Sequence, residues 1–166
     1  MSIQIDFSNL KIQITESEQS VVYLFNGDVD ENFRHQEVPR IEKPSIIFEL
    51  SSIRNFNSCG IREWIYFVRD MGKLGNLIFK ECSVTVIDQV NMVPDSLGGG
   101  AIESFFAPYY CETHGEVNRL ISVAEHLTNL TKSISPQFNC DCGKALEFDA
   151  LEESYFLFTK NLSKVG

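Results

Sequence analysis

Apolar and polar residues alternate along the first part of the chain, with the period of a β-strand. Two such runs occupy residues 3–7 and 10–14, and their apolar members are Ile3, Ile5, Phe7, Leu10, Ile12 and Ile14. Residues 21–25 form a continuous apolar run that ends in the turn-forming residues 26–28. Half-buried strands alternate, whereas strands buried on both faces are apolar throughout. The pattern therefore predicts three strands in this part of the chain.

Strands and helices alternate in the middle of the chain. Residues 46–50 are predicted to form an interior strand and residues 60–71 a helix. The apolar residues of that helix recur with helical spacing at Ile61, Trp64, Ile65, Val68 and Met71. A strand at residues 77–79, a helix at 84–90 with Ser83 as its N-cap, and a last strand at 101–107 follow. This order predicts the α/β class, with helices packed on one face of a mixed sheet.

The last third of the chain has a different pattern. We predict a domain of residues 1–108 and a C-terminal extension of residues 109–166. Residues 117–123 fit a helix and a strand equally well, because apolar residues recur there with both periods. Residues 151–162 predict a terminal amphipathic helix with Tyr155, Phe156 and Leu162 on its buried face.

Composition limits the classes of function. The chain has 166 residues, 43% of them hydrophobic, which is enough for one well-packed domain with a small appendage. Its formal net charge is −9 and Lys and Arg do not cluster, so we expect no nucleic-acid partner. The first residues lack the pattern of a signal peptide, and no apolar run approaches the length of a membrane span. We therefore expect a cytoplasmic protein.

The turn between the interior strand and the next helix carries Asn57, Ser58, Cys59 and Gly60. A helix N-terminus has unpaired N–H groups and a partial positive charge, which suit a phosphate, a thiolate or a docked protein loop. Ser58 fits two compatible roles, a cap that accepts a backbone N–H and a phosphorylation site. Cys59 fits a half-buried structural thiol or, with a base such as His35 beside it, the nucleophile of an enzyme.

Three segments in this order resemble the STAS domain, the fold of anti-sigma-factor antagonists and of sulfate-transporter tails. The segments are LFNGDVDENF, SIIFELSSIRNFNSCGIREWI and NLIFKECS, and the resemblance covers about residues 8–107. The family has a Gly-Asp-Ile-Asp-like turn after its second strand and Asp-Ser-x-Gly at the end of its central strand. Residues 27–30 and 57–60 match these two motifs. The resemblance implies a sandwich of a mixed sheet with helices on one face.

The match also places Ser58 at the position that a partner kinase phosphorylates in this family. It implies a non-catalytic signalling module that docks an anti-sigma factor, a serine kinase or a similar regulatory protein. The docking residues would be Asn57, Ser58, Cys59, Gly60 and Asp28. Asn57 replaces the usual acidic residue, and Trp64 is bulkier than the residues usual in that helix. The alternative is therefore a STAS-like scaffold that binds a small ligand or a second copy and has no phosphorylation switch.

Four candidate metal ligands lie in the C-terminal extension. Cys111 and His114 have Cys-x2-His spacing, Cys140 and Cys142 have Cys-x-Cys spacing, and a glycine follows each pair. Thiolates and an imidazole in two such turns suit a tetrahedral zinc ion. The pattern resembles a zinc ribbon in which His114 replaces one cysteine and the second turn is one residue shorter. We predict a structural zinc. One alternative is a metal enzyme, which would need an open ligand position on the ion. The other is that no metal binds, in which case Cys111 and Cys142 would be small core residues.

Overall fold

The computed structural model describes residues 2–164, and the side chains of residues 2–160. The strands in this range are β1 (Ser2–Asp6), β2 (Leu10–Glu16), β3 (Ser20–Val29), β4 (Ser45–Phe56), β5 (Asn76–Lys80), β6 (Ala101–Ile102), β7 (Ser104–Cys111), β8 (Gly115–Ser122) and β9 (Glu147–Phe148). The α-helices are α1 (Ser58–Met71), α2 (Val84–Met92), α3 (Val123–Thr131) and α4 (Glu152–Tyr155). Segments of 3-10 helix occur at His35–Glu37, Pro94–Leu97 and Leu157–Lys164.

The first six strands form a mixed sheet in which they lie side by side in chain order. β1, β2 and β3 pair antiparallel, whereas β3, β4, β5 and β6 pair parallel. The register aligns Ile12 with Phe25, Tyr23 with Phe48, and Phe48 with Phe79, and all five side chains are buried. One face of the sheet is therefore the core face. The α/β class and the mixed sheet predicted from the sequence are confirmed.

Helix α1 packs on this core face. Its buried residues are Gly60, Trp64, Phe67, Val68 and Met71. The ring of Phe67 stacks on Phe48 of β4 with centroids 5.5 Å apart, and Trp64 Nε1 donates to the carbonyl of Ser96 at 3.0 Å. Trp64, Val68 and Met71 line the packed face as predicted. Ile61 and Ile65 are only half-buried, and the helical pattern did not include Phe67.

The start of α1 lies directly against the end of β3. A Cβ atom added to Gly60 would be 1.8 Å from the carbonyl oxygen of Val29, closer than any real contact. Helix α2 begins as predicted, because Ser83 Oγ accepts from the Val86 N–H at 3.3 Å. The same hydroxyl donates to the Ile53 carbonyl at 2.8 Å and so fixes α2 to β4.

The prediction of one strand at residues 101–107 is wrong, because the chain changes partners at Glu103. β6 pairs with β5 in the first sheet, whereas β7 pairs with β8 and β9 in a second sheet of order β8-β7-β9. β7 continues to Cys111 and passes through residue 108, where the sequence places the boundary of the extension. Its start is also tied to the segment that follows β5, since the Cys82 N–H donates to the Ser104 carbonyl at 3.1 Å.

The structure decides the ambiguous segment at residues 117–123 and corrects the helix predicted at residues 151–162. Residues 117–122 belong to β8, the second strand of a long hairpin with β7, and the helix α3 begins only at Val123. The predicted single helix at residues 151–162 is wrong: α4 ends at Tyr155 and a 3-10 segment follows. The Asn91 side chain interrupts the helix, because its Nδ2 donates to the Tyr155 carbonyl and its Oδ1 accepts from the Phe158 N–H. Tyr155 and Phe156 are buried as predicted, and the side chain of Leu162 lies outside the described residues.

Candidate functional site

The turn before α1 is capped by Asn57. Its side-chain Oδ1 accepts from the Gly60 N–H at 2.8 Å, and its Nδ2 donates to the Glu31 carboxylate at 2.6 Å. The backbone N–H of Asn57 donates to the Val29 carbonyl at 3.2 Å, which ties the turn to the end of β3. Asn57 thus satisfies a helix N–H group and joins the turn to the loop that follows β3.

Ser58 is the first residue of α1, and its side chain is exposed. Because Asn57 provides the cap, the Ser58 hydroxyl is not needed for that role. Within residues 2–160, no side-chain hydrogen bond involves Ser58 Oγ. The hydroxyl therefore faces solvent beside the positive end of the helix dipole.

The structure brings the other residues of the predicted docking surface to the same edge of the sheet. Cys59 is exposed, and Gly60 is buried against β3. Asp28 pairs in register with Asn55 near the end of β4, and its carboxylate lies 3.7 Å from Arg54 Nε. Residues 27–30 and the turn at residues 57–60 are therefore neighbours, because β3 and β4 run parallel. The turn predicted at residues 26–28 is not formed, since β3 continues through these residues to Val29.

A cavity of about 370 Å³ adjoins this turn. Cys59, His35, Glu63 and Tyr66 are among the residues that line it. His35 is buried, its ring stacks on Tyr66, and its Nδ1 hydrogen-bonds to the Glu63 carboxylate. Burial alone would raise the pKa of Glu63, but the hydrogen bonds from the His35 ring and backbone lower it overall. No sequence pattern indicates that His35 and Cys59 share a cavity, because they lie on separate elements.

The second candidate site lies at the ends of two tight turns in the C-terminal part. Cys111 is the last residue of β7, and His114 precedes Gly115 in the β7–β8 turn. Cys140 and Cys142 lie in a turn closed by hydrogen bonds from Cys140 N to the Lys144 carbonyl and from Gly143 N to the Cys140 carbonyl, at 2.8 and 2.9 Å. Gly115 and Gly143 have φ values of 80° and 89°, a conformation that favours glycine.

The four predicted ligands come together in the fold. The Cys111 sulfur is 3.7 Å from both the Cys142 sulfur and His114 Nδ1, and the Cys140 sulfur is 3.4 Å from His114 Nδ1. All four ligand atoms lie within 4.8 Å of one another. A tetrahedral ion about 2.3 Å from each sulfur requires sulfur–sulfur distances of about 3.8 Å. The cluster could therefore hold a metal ion, and its dimensions are compatible with zinc.

The electrostatics of the cluster also favour a cation. Backbone N–H groups of His114 and Thr113 lower the pKa of Cys111 to about 6, so its thiolate is available at neutral pH. The Cys142 backbone stabilises the Cys140 thiolate, but desolvation and the sulfurs of Cys111 and Cys142 raise the pKa of Cys140 overall. Several thiolates this close repel one another, and a bound metal ion removes that repulsion.

Comparison with known proteins adds no relative. No family model matches the chain, and no curated protein matches it in sequence. Within the part of the chain that the structure describes, no helix is both long enough and apolar enough to cross a membrane.

Proposed function

We propose that this protein is a non-catalytic regulatory module, STAS-like in its first part, which docks a partner protein around Ser58. The docking surface comprises Asn57, Ser58, Cys59, Gly60 and Asp28. The partner is a regulatory protein such as an anti-sigma factor or a serine kinase. The five cysteines are all unpaired thiols, which supports a reducing compartment such as the cytoplasm.

The observation that carries this proposal is the division of roles between Asn57 and Ser58. Asn57 caps α1, and the Ser58 hydroxyl is exposed at its first residue. A phosphate on Ser58 would bring about two negative charges to a helix N-terminus, where the dipole stabilises them by about 0.3–1 kcal/mol. It would also lie near Glu31, which accepts from Asn57. The added charge and bulk would therefore weaken the binding of an acidic partner and strengthen that of a basic one.

The experiment compares wild type with Ser58→Ala and Ser58→Asp. Mass spectrometry of the protein isolated from its source cells is expected to find phosphate on Ser58. Affinity capture is expected to recover a regulatory protein whose amount differs between the Ala and Asp variants. Ser8→Asp is the matched control, since Ser8 is also an exposed serine in a turn. If all variants captured the partner equally and Ser58 carried no phosphate, the switch would be refuted. The alternative of a scaffold without a phosphorylation switch would then stand.

We further propose that the metal centre holds one zinc ion and that its role is structural. Cys111, His114, Cys140 and Cys142 supply four protein ligands, which fill a tetrahedral coordination shell. Such a shell leaves no position for a water molecule or a substrate. Zinc would link the β7–β8 turn to the turn at residues 140–144, as in a zinc ribbon.

A thiol enzyme is a second candidate, supported by the cavity beside Ser58. Cys59 lines this cavity together with His35, whose Nδ1 is held by Glu63. A nucleophile, a base and a group that orients the base are the parts of a cysteine-based catalyst. No hydrogen bond joins Cys59 to His35 within residues 2–160, so the two side chains would have to approach each other in use.

Alkylation by iodoacetamide tests this second candidate. If His35 activates Cys59, His35→Gln should slow modification of Cys59 at neutral pH by about tenfold. His126→Gln, which removes a histidine of α3 instead, is the matched control and should leave the rate at Cys59 unchanged. An unchanged rate at Cys59 would exclude the enzyme.

A further inference from the structure

Two large apolar side chains lie in solvent on either side of a groove between α2 and α4. Met92 at the end of α2 is 72% exposed, and Leu151 just before α4 is 77% exposed. Within residues 2–160, they are the two most exposed large apolar side chains. Both line a cavity of about 500 Å³ with Asn91, Ala150 and Tyr155, which we call the α2–α4 groove.

Hydrogen bonds hold the walls of the α2–α4 groove in place. Asn91 Nδ2 donates to the Tyr155 carbonyl at 2.8 Å, and the Phe158 N–H donates to Asn91 Oδ1 at 2.9 Å. The Tyr155 hydroxyl donates to the Phe106 carbonyl at 2.6 Å, which anchors the same wall to β7. A partner that bound here would not have to order the groove first, and this reduces the entropic cost of binding.

The charged residues in and beside the α2–α4 groove are all acidic. The α2–α4 groove adjoins a second cavity of about 400 Å³, because both are lined by Asp88, Ala150 and Tyr155. Glu116 and Asp149 also line the second cavity. Among the described residues that line the two cavities there is no Lys, Arg or His. Partial desolvation raises the pKa of Asp88, and a nearby cation would stabilise its carboxylate.

We propose that the α2–α4 groove docks a basic amphipathic segment of a partner protein. The apolar side chains of the segment would cover Met92 and Leu151, and its Lys or Arg residues would face Asp88, Glu116 and Asp149. A partner of this chemistry satisfies both features of the groove, since an acidic or uncharged segment would bury carboxylates without a counter-charge.

The test uses two synthetic helical peptides with Leu on one face. One carries Lys on the other face, and the second carries Glu at the same positions. Fluorescence anisotropy should show binding of the Lys peptide, weakened by added salt, and no binding of the Glu peptide. Leu151→Ser should weaken binding by about tenfold, because an apolar contact of that size is lost. Glu116→Gln should also weaken it.

Matched controls separate this groove from the general acidity of the chain. Leu24→Ser removes an exposed leucine on the six-stranded sheet, and Glu18→Gln removes a charge from an exposed turn, so neither should change binding.

Three results would each refute the proposal: equal binding of the two peptides, absence of binding, or binding that Leu151→Ser does not weaken. If sedimentation equilibrium showed a dimer that Leu151→Ser dissociates, the groove would bind a second copy of this chain, and the proposal would be wrong. Ser58→Asp should leave peptide binding unchanged, so this proposal and the docking proposal can fail separately.

Discussion

Asn57 and Ser58 are adjacent, but they have different consequences for stability. The Asn57 side chain holds both the first turn of α1 and Glu31. Asn57→Ala is therefore expected to lower the free energy of unfolding by about 0.5–2 kcal/mol. Ser58→Ala should change it by less than about 0.5 kcal/mol, because no structural contact is lost. Urea denaturation measures both values, and a loss at Ser58 as large as that at Asn57 would mean that Ser58 contributes to the cap.

A pair of carboxyl groups makes stability depend on pH. The hydrogen bond with Glu49 raises the pKa of Glu81 from 4.5 to about 6. Because the folded protein binds this proton more tightly than the unfolded chain, the stabilisation is complete below about pH 4.5 and is lost as the pH rises through about 6. The Gln side chain of Glu81→Gln stays neutral at every pH. The free energy of unfolding of this variant, relative to wild type, should therefore increase as the pH rises from about 4.5 through about 6.

Thermal or urea unfolding at a series of pH values measures this difference. The same substitution at Glu18, on an exposed turn, is the matched control. A difference between Glu81→Gln and wild type that stays constant across the range would contradict the assignment of the proton to this pair.

The contact between α1 and β3 depends on the absence of a side chain at position 60. A methyl group there would overlap the Val29 carbonyl, which is backbone and has little room to move. Gly60→Ala should therefore destabilise the protein by at least about 2 kcal/mol, although alanine is the better helix former. Cys59→Ala, one residue earlier and exposed, should be close to neutral. If calorimetry gave Gly60→Ala a melting temperature equal to that of wild type, the close contact would be wrong.

The elements that the sequence predicts well are those whose pattern is local. The alternation in residues 10–14 and the helical spacing of Trp64, Val68 and Met71 follow from side chains that face one core. The end of α4 could not be predicted, because the side chain that interrupts it, Asn91, lies 64 positions away from its partner Tyr155. The break between β6 and β7 depends likewise on partners in other strands.

The same distinction applies to the candidate sites. Spacing alone predicted the cluster of candidate metal ligands, since Cys111 and His114 lie in one turn and Cys140 and Cys142 in another. The contact between His35 and Glu63 spans 28 positions and joins a 3-10 segment to α1, so no sequence pattern indicates it. No local pattern indicates the α2–α4 groove, because its lining comes from α2 and from residues 150–155, which are far apart in the chain.

We expect one zinc ion per chain in protein purified without chelators. X-ray absorption should give Zn–S distances of about 2.3 Å and a Zn–N distance of about 2.0–2.1 Å. Cys142→Ser should lower the zinc content and the melting temperature, because a ligand that links two turns is lost. Cys59→Ser is the matched control, since Cys59 is also exposed but lies outside the cluster. Zinc-free protein with an unchanged melting temperature would contradict a structural role.

The chain order of the six-stranded sheet has a consequence for synthesis on the ribosome. Each strand from β2 to β6 pairs with the strand before it, so its partner has already emerged when it leaves the exit tunnel. Cys142 follows Cys111 by 31 positions, which corresponds to roughly 2–6 seconds of translation at typical rates. The six strands can therefore pair one after another during synthesis, and the four candidate metal ligands would come together only after that sheet has emerged.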